Sequence, residues 1–167
     1  MKLEKFQEQI YFSTVRISIS SKVSQSTSIG TGFIFSAPLN DAQNRSVILL
    51  ISNKHVYGDP TQNIMLNFHQ RDQADISRPA LGHIKPLQAN DFSGLYSEHP
   101  DPDVDLACLN ISTITRPEHQ IFYKVIKPDM FAEFQEDDLL PGNDVWFIGY
   151  PENRYDKIGR ASCRERV

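Results

Sequence analysis

Two side chains in this sequence have the types needed for proton-transfer chemistry and stand at the borders of apolar segments. His55 follows the apolar run Val47–Ile51 after three polar residues. Asp105 immediately precedes a second apolar run, Leu106–Leu109. A neutral imidazole can accept the proton of a nucleophile, and a carboxylate can fix the imidazole tautomer. A single histidine after a strand is more often a surface or capping residue, so the context has to decide.

Three aspartates compete for the role of the carboxylate. Asp101 and Asp103 lie in the segment His99-Pro-Asp-Pro-Asp103, whose composition is typical of a solvated turn. Asp105 abuts the apolar run, so it is the one of the three that we expect to be partly buried.

Other site chemistries find no support in the residue spacing. The remaining histidines show no H-x-x-x-H spacing and there is no C-x-x-C pair, so no metal site is predicted. No glycine loop of the phosphate-binding type is present, and we expect no cofactor. Cys108 lies inside an apolar segment and is expected to be a small buried hydrophobic residue.

Length and composition exclude several classes of protein. The chain has 167 residues, of which 40% are hydrophobic, too many for a disordered chain. No apolar run approaches the roughly 18 residues of a membrane helix. The formal net charge of -4 argues against a general nucleic-acid binder, so neither nucleic acid nor membrane is expected as a partner. The N-terminal residues form no export signal, which favours a cytoplasmic protein.

The hydrophobic pattern has a period of two and predicts an all-β chain. Val15, Ile17 and Ile19 alternate with polar residues, as expected for a strand with one buried face. Many short strands separated by turn residues favour a barrel or a sandwich. Strands are predicted at Thr14–Ser20, Ile29–Phe35, Val47–Ile51, Asn63–His69, Leu81–Leu87, Leu106–Ile111 and Asp144–Tyr150.

Four segments occur in an order that resembles the trypsin-like serine peptidases of the chymotrypsin fold, particularly the bacterial type. They are GTGFIF at Gly30–Phe35, LLISNKHV at Leu49–Val56, DVDLACL at Asp103–Leu109 and GNDVWFIGYP at Gly142–Pro151. No single segment is decisive, but their order and context make the resemblance strong. It covers roughly residues 15–151 of the chain.

This resemblance implies a chymotrypsin-like double β-barrel whose first barrel is complete and whose second is only begun. It implies a lead-in at 1–11, a first barrel at 12–114, an inter-barrel connection at 115–140 and the start of a second barrel at 141–157. His55 would be the general base and Asp105 the residue that orients it, with a protein or peptide as substrate. Gly30 and Gly32 would permit close packing near the cleft. Since fifty positions separate His55 from Asp105, only barrel closure could bring them together.

The nucleophile motif of the family, G-x-S-G-G/S-P, is absent from this sequence. Ser162 lies in Arg160-Ala-Ser-Cys-Arg164, which has none of the required glycines. We therefore interpret the chain as the N-terminal fragment of a serine endopeptidase. The fragment itself is expected to be inactive. Two alternatives remain open: a peptidase-like module that binds a peptide or partner protein without cleaving it, and an enzyme of the same fold with a cysteine nucleophile. The composition leaves the oligomeric state open.

The last ten residues, 158–167, differ in character from the rest of the chain. The codons ATC GGA AGA GCG TCG TGT AGG GAA AGA GTG would encode this segment, and that string looks like a widely used short-read sequencing adapter. We interpret residues 158–167 as the translation of that adapter. Removing its three arginines and one glutamate changes the formal net charge from -4 to -6. Cys108 is then the remaining cysteine, so no intramolecular disulfide is expected.

Resequencing the source locus tests the origin of this segment. We expect the genomic DNA to diverge from the adapter-like codons close to the codon for Lys157. Genomic codons that continue through Cys163 and Val167 would show that the segment is native protein.

Overall fold

The computed structural model of the chain describes residues 6–24, 26–131, 144–150 and 161–166. It is mostly β-structure, which confirms the predicted all-β class. The elements in chain order are α1 (Phe6–Tyr11), β1 (Thr14–Ser20), β2 (Thr27–Pro38), β3 (Ser46–Ser52), α2 (Lys54–Tyr57), β4 (Asn63–Arg71), β5 (Pro79–Ala89), β6 (Tyr96–Glu98), β7 (Ala107–Asn110), β8 (Ile121–Phe122), β9 (Asp144–Gly149) and β10 (Ala161–Arg166). Short 3₁₀ turns lie at Pro117–His119 and Pro128–Met130.

The first eight strands form one antiparallel sheet in the order β5-β4-β1-β2-β3-β7-β6, with β8 paired to β4. Ile17 in the central strand β1 lies opposite Gly30 of β2 on one side and Leu66 of β4 on the other. At the other end of the sheet, Ser52 of β3 lies opposite Ala107 of β7. This last register determines where the site residues meet.

The prediction of a complete first barrel is wrong, because the sheet does not close. In the described part of the chain, β5 and β6 lie at opposite ends of the strand order and do not pair with each other. β6 has three residues, too few to bridge a long edge, and Pro86 removes one backbone donor from β5. Phe92, from the loop between the two strands, is 1% exposed and packs against Tyr57 and Tyr96.

The apolar residues that alternate along β1 lie in the hydrophobic core. Val15, Ile17 and Ile19 are all buried, as the period of two predicts. Their side chains pack against residues from β2, β3, β4 and β7, which gives the sheet one continuous apolar face. Other members of this core are Ile34, Leu50, Tyr57, Ile64, Leu66, Phe68, Phe92, Ala107, Leu109, Ile111 and Ile121.

The segment predicted as an inter-barrel connection begins as part of the sheet. Phe122 of β8 is buried and lies edge-on to Phe12, with ring centroids 5.2 Å apart. The N–H of Lys124 donates to the carbonyl of Phe12 at 2.9 Å. Ile126 forms a parallel bridge with Phe35 of β2. Residues 121–126 therefore extend the sheet beyond residue 114, the boundary that the sequence suggested.

β9 and β10 form a separate two-stranded antiparallel sheet. β9 confirms the strand predicted at Asp144–Tyr150, while 132–143 and 151–160 of the predicted connection and second barrel lie outside the described residues. β10 falls inside the segment interpreted as adapter translation. Backbone pairing is available to almost any sequence, so this strand does not test the segment's origin. No helix in the described ranges is long and apolar enough to cross a membrane.

The Phe12 contact predicts a large cost for truncating this ring. Phe12 is 2% exposed and also meets the ring of His69 edge-on, so Phe12→Ala should leave a cavity where three elements join. We expect a loss of about 3–5 kcal/mol in the free energy of unfolding, measured by urea denaturation. Phe131→Ala, at a ring that is 54% exposed, is the matched control and should cost less than about 1 kcal/mol. Equal losses in the two variants would contradict the assigned packing.

Candidate active site

The short helix α2 carries His55 and is fixed at its end by a buried tyrosine. Tyr57 is 0% exposed, and its hydroxyl donates to the carbonyl of Leu50 in β3 at 2.8 Å. Burial raises the pKa of Tyr57 well above its ordinary value, so the hydroxyl stays protonated and able to donate. Gly58 then ends the helix with a positive φ of 57°, a conformation that favours glycine. The turn holding His55 is therefore tied to the strand before it.

A close approach between α2 and β2 fixes the other side of this turn. A Cβ added to Gly30 would lie 2.4 Å from Cγ1 of Val56, and one added to Gly32 would lie 2.8 Å from Cδ1 of Leu50. Neither position has room for a side chain. The close packing that we predicted at Gly30 and Gly32 is confirmed, and at Gly30 the neighbour is the residue directly after His55.

The register of β3 and β7 brings Asp105 beside α2. Because Ser52 lies opposite Ala107, the residues that follow β3 face the residues that precede β7. The loop before β7 is tightened by the N–H of His99 donating to the carbonyl of Leu106 at 2.9 Å. Lys54 Nζ donates to the carbonyl of Asp101 at 3.2 Å, which joins this loop to the start of the helix.

His55 and Asp105 form a directly hydrogen-bonded pair. Nδ1 of His55 lies 2.5 Å from Oδ2 of Asp105, and the backbone N–H of His55 donates to Oδ1 at 3.2 Å. Asn53 adds a third donor, its Nδ2 lying 3.2 Å from Oδ2. The structure thus brings together the two residues that the sequence singled out, although fifty positions separate them. The expectation that only barrel closure could do so is wrong, because the pairing of β3 with β7 is sufficient in an open sheet.

Hydrogen bonds keep Asp105 ionised. The side-chain bond from His55 is the largest cause that lowers the pKa of Asp105 below 3.8, followed by the His55 backbone N–H, the His55 charge and Asn53, while desolvation opposes them. A carboxyl whose pKa is depressed in the folded state contributes stability above its ordinary pKa. That contribution is lost as the pH falls through the folded value. At neutral pH Asp105 is therefore an acceptor only.

This arrangement defines the chemistry available to the imidazole. An ionised carboxylate accepts from Nδ1–H, so in neutral His55 the lone pair is on Nε2. The His55 side chain is 72% exposed, which leaves the ring accessible to a reacting group. The pair can accept a proton at Nε2 and stabilise the resulting imidazolium, as a general base does.

The competing aspartates have other contacts. The carboxylate of Asp101 accepts the backbone N–H of Asp103 at 2.9 Å and so stabilises the turn, as its composition indicates. The apolar run covers Asp105 only in part, since its side chain is 48% exposed. The apolar residue beside it, Leu106, is itself 42% exposed and shields it little. Hydrogen bonds with His55 and Asn53, and not burial, distinguish Asp105 from the other two aspartates.

Two site features were not predicted from the sequence. Asn53 contacts Asp105 from the position before α2, where an asparagine ordinarily indicates a helix cap. Thr31, between the two glycines, accepts the backbone N–H of Tyr150 at 2.7 Å through its Oγ1. This bond attaches the end of β9 to the sheet one residue from Gly30. A G-x-G segment predicts a close approach of the backbone to a neighbour. It does not predict which residue contacts the side chain between the two glycines.

The described residues provide no nucleophile for this pair. Among them, no hydroxyl or thiol is hydrogen-bonded to the His55 ring. Cys108 is only partly buried, contrary to expectation, and burial raises the pKa of its thiol, which disfavours the reactive thiolate. The side chain of Ser162 lies outside the described residues. The described side chains also contain no group of three or more His, Cys, Asp or Glu residues that could hold a metal ion.

No protein-family model and no curated protein matches this chain. The resemblance to trypsin-like peptidases therefore stays a prediction, and the site is judged on its geometry.

Gly30→Ala should displace the helix that carries His55. Cγ1, Cγ2 and Cβ of Val56 would lie 2.4, 2.7 and 3.1 Å from the new methyl group, so rotating this side chain cannot relieve the clash. We expect a loss of about 1–3 kcal/mol in the free energy of unfolding and shifted imidazole NMR signals of His55.

Two further variants make this prediction specific. Gly94→Ala, whose new Cβ meets nothing within 4 Å, should change neither quantity. Gly30→Ala combined with Val56→Ala should recover part of the lost stability, because the two closest atoms are removed. Equal effects at Gly30 and Gly94, or no recovery in the double variant, would contradict the proposed clash.

Proposed function

We propose that this chain is the N-terminal part of a trypsin-like serine endopeptidase of the chymotrypsin fold, whose first sheet is open between β5 and β6. His55 is the general base and Asp105 orients it, and a serine outside the described residues is the nucleophile. The observation that carries the proposal is the 2.5 Å contact between His55 Nδ1 and Asp105 Oδ2. It joins two residues that occupy the family's positions in two separate motifs.

The proposed reaction is hydrolysis of a peptide bond through an acyl-enzyme. Nε2 of His55 takes the proton of the serine hydroxyl as the serine oxygen attacks the peptide carbonyl carbon. The ionised Asp105 stabilises the imidazolium, which then gives its proton to the leaving amine. Water attacks the acyl-enzyme in the second half, with His55 again accepting and returning a proton. The free acid leaves and the serine hydroxyl is restored.

The position of β9 supports the second-barrel part of the proposal. The family-like segment around Tyr150 contacts the first sheet at Thr31, next to the glycine that packs against Val56. Tyr150 is 7% exposed, so this contact is packed and not a surface encounter. The end of β9 is therefore attached to the strand that packs against the helix carrying His55.

The presence of both His55 and Asp105, called the dyad from here on, favours an enzyme over a pure binding module. A module that only binds peptides has no need for an imidazole hydrogen-bonded to an ionised carboxylate. The 167-residue chain itself is expected not to turn over substrate, since its sequence lacks the G-x-S-G-G/S-P motif and its described residues provide no nucleophile for His55.

The test uses the protein encoded by the native gene, including the native codons after Lys157. A fluorophosphonate probe should label one serine of this protein and leave the 167-residue chain unlabelled. His55→Ala should slow labelling by a factor on the order of 10³ or more, and Asp105→Asn by up to about 10⁴. His83→Ala, at an exposed histidine in β5, is the control and should leave the rate unchanged.

The alternatives give different results with the same protein. Iodoacetamide labelling of a cysteine other than Cys108 that is lost in His55→Ala, with no labelling by the fluorophosphonate, would identify a cysteine nucleophile. Peptide binding without any covalent labelling would favour the inactive module. Serine labelling that survives His55→Ala would remove the proposed role of the dyad.

A further inference from the structure

We propose that Asn53 is a positioning residue of the candidate site, whose side-chain amide holds Asp105 in the orientation that receives the imidazole of His55. The catalytic meaning of this inference rests on the proposed peptidase function. The contact itself belongs to the chain as it stands and can be tested without any activity.

Asn53 holds Asp105 at two points. Its Nδ2 donates to the backbone carbonyl of Asp105 at 3.0 Å and to Oδ2 of the carboxylate at 3.2 Å. One amide thus restrains both ends of the same residue, the main chain and the carboxylate. Asp105 needs this restraint because it lies in a loop, two residues before β7 begins at Ala107.

The side chain of Asn53 is diverted from its ordinary local role. Asn53 is in the N-cap position of α2, with φ -70° and ψ 148°, yet its side chain makes no capping hydrogen bond. An asparagine at this position ordinarily accepts from the N–H groups of its own helix, and the bond stabilises helices measurably. Here the same side chain is used across the loop, as expected if holding Asp105 matters more than capping a four-residue helix.

The geometry divides the donors between the two oxygens of the carboxylate. Oδ1 accepts the His55 N–H, while Oδ2 lies within reach of both His55 Nδ1 and Asn53 Nδ2. The side chain is 48% exposed, so little packing restricts its rotation. Without Asn53, the carboxylate of Asp105 would keep the two donors of His55 and lose the one donor that another residue supplies. The neutral amide also adds no competing charge near the imidazole.

The test measures the histidine tautomer by NMR in the full 167-residue chain labelled with ¹⁵N. The ¹⁵N shifts of the two imidazole nitrogens report which of them carries the proton in neutral His55. A side chain that matters only for folding would not move this ratio. Asn53→Ala removes the donor, and Asn53→Asp keeps the shape while placing a like charge beside Oδ2. Asp105→Asn serves as the reference for loss of the carboxylate.

Asn44→Asp is the matched control for added charge. Asn44 is an exposed residue in the turn between β2 and β3, at the opposite end of β3 from His55 and about 20 Å away along the strand. The signals of His69, which is buried in the core, report whether each variant stays folded.

We expect the ratio of Nδ1–H to Nε2–H tautomer to fall roughly threefold to tenfold in Asn53→Ala, less than the full loss of a hydrogen bond to a charged group would give, because the amide acts on the imidazole only through Asp105. Asn53→Asp should also lower it, and Asn44→Asp should leave it unchanged. An unchanged ratio in both Asn53 variants, together with a changed one in Asp105→Asn, would overturn the role of Asn53 and leave the dyad intact. No change in Asp105→Asn either would mean that the dyad contact is absent and would remove the main support of the proposed function.

Discussion

Ser52 of β3 lies opposite Ala107 of β7, and this register brings the end of one strand against the beginning of the other. His55 follows β3 by three residues and Asp105 precedes β7 by two, so they meet without any long-range adjustment of the loops. A slip of one residue would turn every side chain of β7 to the other face of the sheet. Leu50 and Leu109, which lie opposite each other and are buried, oppose such a slip. The hydrophobic core therefore fixes the distance between two polar side chains that contribute almost nothing to it.

β2 gives this arrangement its second constraint. Alternation along a strand places Gly30 and Gly32 on one face and Thr31 on the other. The glycine face admits Val56 closely, and the threonine face accepts the N–H of Tyr150. One short segment thus contacts both the helix that carries the candidate base and the strand that leads away from the sheet. This explains why small and polar residues interrupt an otherwise apolar strand.

The parts of this fold that could be predicted from the sequence are those with strong periodicity. The alternation in β1 and the apolar run in β3 each belong to a strand that is hydrogen-bonded on both sides. β6 and β8 were missed because strands of three and two residues hold no measurable period. Barrel closure was predicted wrongly, since it depends on pairing between two edges and no local pattern encodes that pairing. His55 and Asp105 were found through their motifs, whereas Asn53 was hidden because its helix-capping role is the ordinary one.

Because His55 and Asp105 are exposed, two different things act on them. Hydrogen bonds set their geometry, whereas a surface that covers them would strengthen their interaction. Three donors from residues 53 and 55 orient the Asp105 carboxylate, and all of them lie within the described sheet and its adjoining turn. Water screens the charge interaction at a half-exposed carboxylate, so the geometric order contributes more than the Coulomb energy does. A surface packed over His55 would exclude that water and strengthen the same hydrogen bonds without moving them. The orientation of the base is therefore a property of this chain alone, and covering it would change the strength of the interaction but not its direction.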